Sequence, residues 1–190
     1  MYNKLLEVNM DAVLFNTSEK TTLITHGVTT CIAFIIQGSF WDEDEEETTK
    51  FCGLFHWSGF NSYPADPDEQ ARDALLFFLD RLNIFSGVED DAHIHIESLH
   101  FIGGEREQRD VNNEVIVSGT ENEVTSLVRI VSKFKFSDYG FNIKPNAIKH
   151  DHFLTKDEQS ISISLTIESC HFEIKKPSTE LTNRSLGLFF

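Results

Sequence analysis

Two apolar runs flanking a block of acid constrain the fold more than any other part of this chain. The first is Ile32-Ala33-Phe34-Ile35-Ile36, opened by Cys31; the second is Phe51-Cys52-Gly53-Leu54-Phe55, closed by His56. Short apolar runs of this kind, rich in β-branched and aromatic residues, read as buried strands. The acidic stretch Asp42 to Glu47 between them reads as the loop of an antiparallel hairpin, solvated and mobile because its like charges repel. Paired in this way, Cys31 falls roughly opposite His56. Residues opposite each other across such a pair share a face, with Cβ atoms about 4.5–5.5 Å apart. A thiol and an imidazole at that spacing suit a thiolate–imidazolium nucleophile. The plainer alternatives are a small core cysteine and an exposed strand-end histidine.

The rest of the chain supplies one mixed domain. Ala12 to Phe15 and Thr21 to Thr25 are β-prone, and Gly27 permits a bend before Cys31 that lifts backbone N–H groups towards a substrate carbonyl. Pro67 starts a helix capped by Asp66, with Glu69 completing a box; Ala71, Ala74, Leu75, Phe78, Leu79 and Leu82 form its core stripe. Asn83 to Gly87 ends that helix. Ala92 to Leu99 alternates as a strand, placing His93, His95 and Glu97 on one face. A His-x-His pair can hold a metal, but the polar face of a half-buried strand accounts for these three. Gly103-Gly104 marks a turn, and Val115 to Val117 is extended.

Thr120 and Glu123 form a capping box for a second helix that buries Val124, Leu127, Val128, Val131 and Phe134. Phe141 to Ile143 and Ala147-Ile148 are extended, and Thr155 to Gln159 reads as a hairpin loop. Ser160 to Ile167 then alternates, with Ile161, Ile163, Leu165 and Ile167 inward and the serines outward. The apolar phase moves to Cys170, Phe172 and Ile174, so a bulge or turn lies near Glu168-Ser169. Residues 1–176 form the domain. The segment 177–190 is a polar tail ending in Leu186-Gly187-Leu188-Phe189-Phe190, which docks on the domain or is recognised elsewhere.

Composition excludes several functions. A net charge of -15 opposes nucleic-acid binding, which depends on Lys and Arg at phosphates, and leaves a basic protein surface as a partner. No apolar run reaches the ~20 residues of a membrane helix, and the N-terminus lacks a signal-peptide core, so a cytoplasmic protein is expected, or one secreted into a host cell by a C-terminal signal. Cys31, Cys52 and Cys170 cannot all pair and match no metal ribbon.

The segment Thr25-x-Gly27-x-x-x-Cys31-Ile32-Ala33, followed by Gly53-Leu54-Phe55-His56 and later by Ile102-Gly103-Gly104, resembles the bacterial chemoreceptor glutamine deamidase family CheD. The resemblance covers roughly Thr21 to Ile167. It departs at Thr29-Thr30, where the family has Gly-Ser, at the acidic hairpin insert, at Ser58-Gly59-Phe60 in place of a proline, and at Glu105 to Gln108. It implies an α+β fold of packed, mostly antiparallel sheets (a β-sandwich) flanked by two helices, as in related toxin deamidases. It further implies a Cys31–His56–Thr25 triad, with Thr25 orienting His56, and an oxyanion and substrate loop of Thr30, Gly103 and Gly104. His26, adjacent to Thr25, is not expected to be the base. The activity implied is hydrolysis of a protein glutamine to glutamate through a thioester, with ammonia released and no metal or organic cofactor. A CheC-like phosphatase is the implied regulatory partner. Two other readings stand beside it: a bacterial effector deamidase or transglutaminase acting on a host protein, and a non-catalytic protein of the same fold that docks through its acidic loop.

Overall fold

A computed structural model of the chain describes residues 4–59, 66–88, 93–156 and 159–176. Expectations for Phe60, Ala92, Asp157-Glu158 and the tail from Pro177 lie outside the described residues. The strands are β1 (Lys4–Glu7), β2 (Val13–Asn16), β3 (Thr21–Val28), β4 (Ile32–Asp42), β5 (Glu47–Trp57), β6 (Ile94–Gly103), β7 (Gln108–Arg109), β8 (Val115–Val117), β9 (Phe141–Ile143), β10 (Ile148–His152), β11 (Ser160–Leu165) and β12 (Cys170–Lys175). Two α-helices, α1 (Pro67–Ser86) and α2 (Glu121–Lys133), complete an α+β arrangement. One sheet runs β1-β3-β11-β12, and a larger one runs β10-β6-β4-β5-β2 with β9 also on β6. Most neighbours are antiparallel; β1 on β3, and β9 and β10 on β6, are parallel.

The apolar run of β4 is continuous because both of its faces are covered. Ile32, Phe34 and Ile36 point to the helices and meet Leu75, Phe78, Leu79 and Leu127. Ala33 and Ile35, with Cys52 and Leu54 of β5, point the other way and meet Leu23, Val28, Ile161, Ile163 and Leu165 of the smaller sheet. Phe34 is fully buried with four aromatic neighbours, Phe55, Trp57, Phe78 and Phe101, in edge-on contact. The result is three layers: sheet, sheet, helices. Among the described residues no helix is long and apolar enough to cross a membrane.

The hairpin is longer and its loop shorter than expected. β4 and β5 pair from Ile32 opposite Trp57 to Asp42 opposite Glu47, leaving only Glu43 to Glu46 in the turn. Asp42 closes it by accepting from the N–H groups of Asp44 and Glu45 at 3.1 and 3.3 Å. Backbone pairing overrides the charge repulsion, whose cost is small in water. At about 3.4 Å per residue the acidic turn lies roughly 37 Å along the ribbon from Cys31.

α1 follows its sequence signals. Asp66 accepts from the Asp68 N–H at 3.0 Å, the expected stripe is buried, and Gly87 closes the helix at φ 61°, where a side chain would be strained. Glu69 takes no part in the cap. In α2 the capping box does not form: the Thr120 hydroxyl accepts from the Glu105 N–H at 3.0 Å, and the Thr120 N–H donates to the Glu105 carbonyl at 2.9 Å. Thr120 thus ties the segment after Gly104 to the helix. Val128 is 37 % exposed, and Ser126 takes a buried position in its place. Ser162 is also buried rather than outward. β10 lies in the larger sheet and β11 in the smaller one, so the two strands do not pair as the arms of a hairpin. The phase change near Glu168-Ser169 is a turn, closed by the Thr166 N–H on the Ser169 carbonyl at 2.8 Å.

Candidate active site

Thr25, Cys31 and His56 come from β3, from the residue before β4, and from β5, and all three face the layer between the sheets. The expected bend at Gly27 is a β-bulge. Thr25 pairs with Ile163 and Val28 with Ile161, so His26 and Gly27 of β3 oppose the single residue Ser162 of β11, with Gly27 at φ 71°. The bulge lies next to Thr25, whose side chain is fully buried.

The Thr25 hydroxyl lies 2.7 Å from the Val8 carbonyl oxygen and 2.7 Å from His56 Nδ1. A carbonyl can only accept, so the single hydroxyl proton goes to Val8. Thr25 Oγ1 must then accept from His56, which places the proton of the neutral ring on Nδ1 and leaves Nε2 with a free lone pair. His56 is 4 % exposed, and Nε2 is buried without a hydrogen-bond partner among the described residues. Leaving such an atom unsatisfied costs about 1–3 kcal/mol, which makes the site a candidate for function. The backbone of His56 is held equally firmly: its carbonyl accepts from the Asp11 N–H at 2.6 Å, and its N–H donates to the Ala12 carbonyl at 3.2 Å. The Asp11 carboxylate accepts from the Ser58 N–H at 2.9 Å.

Cys31 is not opposite His56. The register sets Ala33 against His56, and Cys31 lies two residues further along the same face, a diagonal neighbour. The two side chains line one small cavity of about 180 Å³, together with Glu7, Val8, Asn9, Met10, Thr25, His26 and Gly27. Cys31 Sγ makes no hydrogen bond to His56 among the described residues; its contact is Met10 Sδ at 3.9 Å.

Both groups are held towards neutrality, contrary to the expected thiolate–imidazolium pair. Burial pushes the Cys31 thiol above its usual range and the Asp11 charge adds to this, while the Thr30 hydroxyl and the Cys31 N–H work in the opposite direction. Burial lowers the His56 imidazole, and Asp11 opposes that shift. The Cys52 and Cys170 thiols are pushed up to about 11 by burial. Cys52 packs in the same layer as Cys31 but does not line the cavity.

Gly103 and Gly104 do not line the cavity. They brace Cys31 from behind: the Gly104 N–H donates to the Cys31 carbonyl at 2.8 Å, so it is not free for an oxyanion. A Cβ on Gly103, at φ 116°, would come within 2.3 Å of the same carbonyl oxygen. His26 is on the exposed bulge and also lines the cavity, but its Nδ1 pairs with the Ser162 hydroxyl at 3.0 Å. No group of three or more ligands able to hold a metal occurs among the described residues; His95 and Glu97 lie on β6, and His93 lies just before it. A larger cavity of about 770 Å³, lined by Phe134, Phe136, Phe141 and His150 among others, lies on the helix side of the larger sheet, and no cysteine lines it.

The residues that sequence reasoning misses are Val8, Met10 and Asp11. Val8 and Asp11 act largely through backbone atoms, which no side-chain pattern reports. No protein-family model and no curated protein matches the chain.

Proposed function

We propose that the protein is a cysteine-dependent amidohydrolase that converts glutamine side chains of a protein substrate to glutamate. The observation that carries this reading is the buried Thr25–His56 hydrogen bond, which leaves His56 Nε2 unpartnered on a residue that lines the same cavity as Cys31. That is the arrangement by which a third residue fixes the tautomer of a catalytic imidazole. The cavity supports a side-chain substrate: about 180 Å³ is well below the ~300–1,000 Å³ of sites for free drug-sized ligands.

In the proposed reaction the resting thiol and imidazole are both neutral. As Cys31 Sγ adds to the carboxamide carbon, His56 Nε2 takes the thiol proton, so deprotonation and attack are coupled. The oxyanion draws on the Cys31 N–H and the Thr30 hydroxyl, the two donors that already favour negative charge at the sulfur. The imidazolium, held by Thr25, returns the proton to the departing nitrogen, and ammonia leaves. Water, with its proton taken by His56, then cleaves the thioester to give glutamate and the free thiol. The CheD-like assignment, a CheC-like partner and a bacterial cytoplasmic or host-delivered setting belong to the same proposal.

Ammonia release from a soluble protein extract tests it. The wild-type protein should release ammonia, and the folded Cys31→Ala variant should not. Equal release by the two would remove Cys31 from the reaction and favour a non-catalytic binding role.

A further inference from the structure

We infer that Met10 is a built-in occupant of the glutamine subsite, a plug that an incoming substrate side chain must replace; this rests on the amidohydrolase reading of the site. Met10 is 60 % exposed and belongs to neither core cluster, yet its sulfur is turned inward to 3.9 Å from Cys31 Sγ. Its side chain is unbranched, and Sδ is the third atom from Cα. In glutamine the third atom from Cα is the carboxamide carbon, the atom the thiol attacks. Met10 Sδ therefore stands where the electrophilic carbon of a bound glutamine would stand, slightly beyond the ~3–3.5 Å of a near-attack contact.

The backbone fixes Met10 in that place. Met10 is the second residue of a turn closed by the Ala12 N–H on the Asn9 carbonyl at 3.0 Å. The third residue, Asp11, is at φ 59°, a left-handed conformation that costs a residue with a Cβ. Asp11 stays there because its N–H is bonded to the His56 carbonyl and its carboxylate to the Ser58 N–H. The turn that presents Met10 is thus fastened to the same residue that supplies the base. A thioether suits the role: it is flexible, weakly polar and unreactive towards a thiol. Because it has no carbonyl, it fills the subsite without being consumed.

Two measurements separate this inference from the reading beneath it. The first is the rate of Cys31 alkylation by 2-chloroacetamide, a small probe carrying a carboxamide. A plug seated in about nine of ten molecules withholds about a tenfold factor, so Met10→Ala should react about tenfold faster than wild type, while Met10→Leu, which still fills the space, should stay slow. Equal rates in wild type and Met10→Ala would overturn the plug whatever the protein does. The second is the mass of the peptide spanning position 10 in purified Met10→Gln. There Cys31 should add to the carboxamide of the introduced glutamine, ammonia should leave with the proton carried by His56, and water should release the acid, so that the position ends as glutamate. The double variant Met10→Gln with Cys31→Ala should keep the amide. Faster alkylation of Met10→Ala, with the amide intact in the Met10→Gln single variant, would keep the plug and refute the amidohydrolase.

Discussion

Replacing Thr25 with valine keeps the shape of the side chain and removes only the hydroxyl. In the folded protein that hydroxyl serves two buried groups, the Val8 carbonyl and the His56 Nδ1–H, each at 2.7 Å. Thr25 is fully buried, so water cannot take its place without disrupting the layer between the sheets. An orphaned buried group costs about 1–3 kcal/mol, so Thr25→Val should lose about 2–6 kcal/mol, a large share of the ~5–15 kcal/mol of a typical domain. Urea unfolding should show a lower midpoint at an unchanged slope. The chemical loss should be larger than stability alone explains. Without an acceptor at Nδ1 the ring is free to turn or to move its proton to Nε2, and general-base catalysis worth about 10²–10⁴-fold is lost. Thr25→Ser should restore both. Nitrogen NMR of the imidazole should report the proton on Nδ1 in wild type and Thr25→Ser. A Thr25→Val protein with wild-type stability, full activity and Nδ1 still protonated would refute the reasoning.

Gly103→Ala should destabilise the protein and slow the reaction together, because the new Cβ would press within 2.3 Å of the Cys31 carbonyl in a backbone conformation that favours glycine; overpacking of this kind costs about 1–3 kcal/mol in urea unfolding. His150, stacked on Phe101 and beside His152, is lowered to about 4, first by burial and then by its neighbouring imidazoles. Its native pKa lies below the unfolded value of about 6.5, so the unfolded chain binds the extra proton: stability from this group is complete above pH 6.5 and is lost as pH falls towards 4. His150→Phe, which preserves the stacking, should flatten the fall of unfolding free energy between pH 6.5 and 4; an unchanged pH slope would remove His150 from the acid sensitivity.

Much of the fold is legible because apolar period and caps report directly on buried faces. The α1 stripe, its Asp66 cap and Gly87 stop are of this kind. So is the inward set of β11, Ile161, Ile163 and Leu165. Register is less legible. Nothing in the acidic block shows that strand pairing continues to Asp42 and Glu47, and that turn length decides which residue faces His56. Because side chains alternate with period 2, the two-residue offset still leaves Cys31 on the correct face. β6 hides a signal that could have been read. Its residues in the helix-side core are Ile94 and Ile96, then Leu99 and Phe101, a phase change matched by the bulge opposite Gln37 and Gly38. The same reasoning that located the Ser169 turn applies there. Thr120 misleads because a Thr-x-x-Glu pattern cannot reveal that Glu105, distant in sequence, competes for the hydroxyl. The site has the same limit: Thr25, Cys31 and His56 are candidates by side-chain type, whereas Val8 meets Thr25 through its carbonyl, and Asp11 holds His56 through its N–H while its carboxylate is fixed by Ser58.

The central physical claim is that His56 Nε2 acts as the base for the Cys31 thiol, and the pH profile of Cys31 alkylation by iodoacetamide in wild type and His56→Ala tests it without any knowledge of the substrate. Burial lowers the imidazole below 6.5 and raises the thiol above 9.0, so the base is available throughout the neutral range. The wild-type rate should hold across neutral pH and fall only below pH 6.5, as His56 gains its proton. His56→Ala should be slower at pH 7, by about a hundredfold, and should gain rate only as the thiol itself ionises above pH 9. Superimposable profiles would show that the imidazole does not serve the sulfur and would contradict the account.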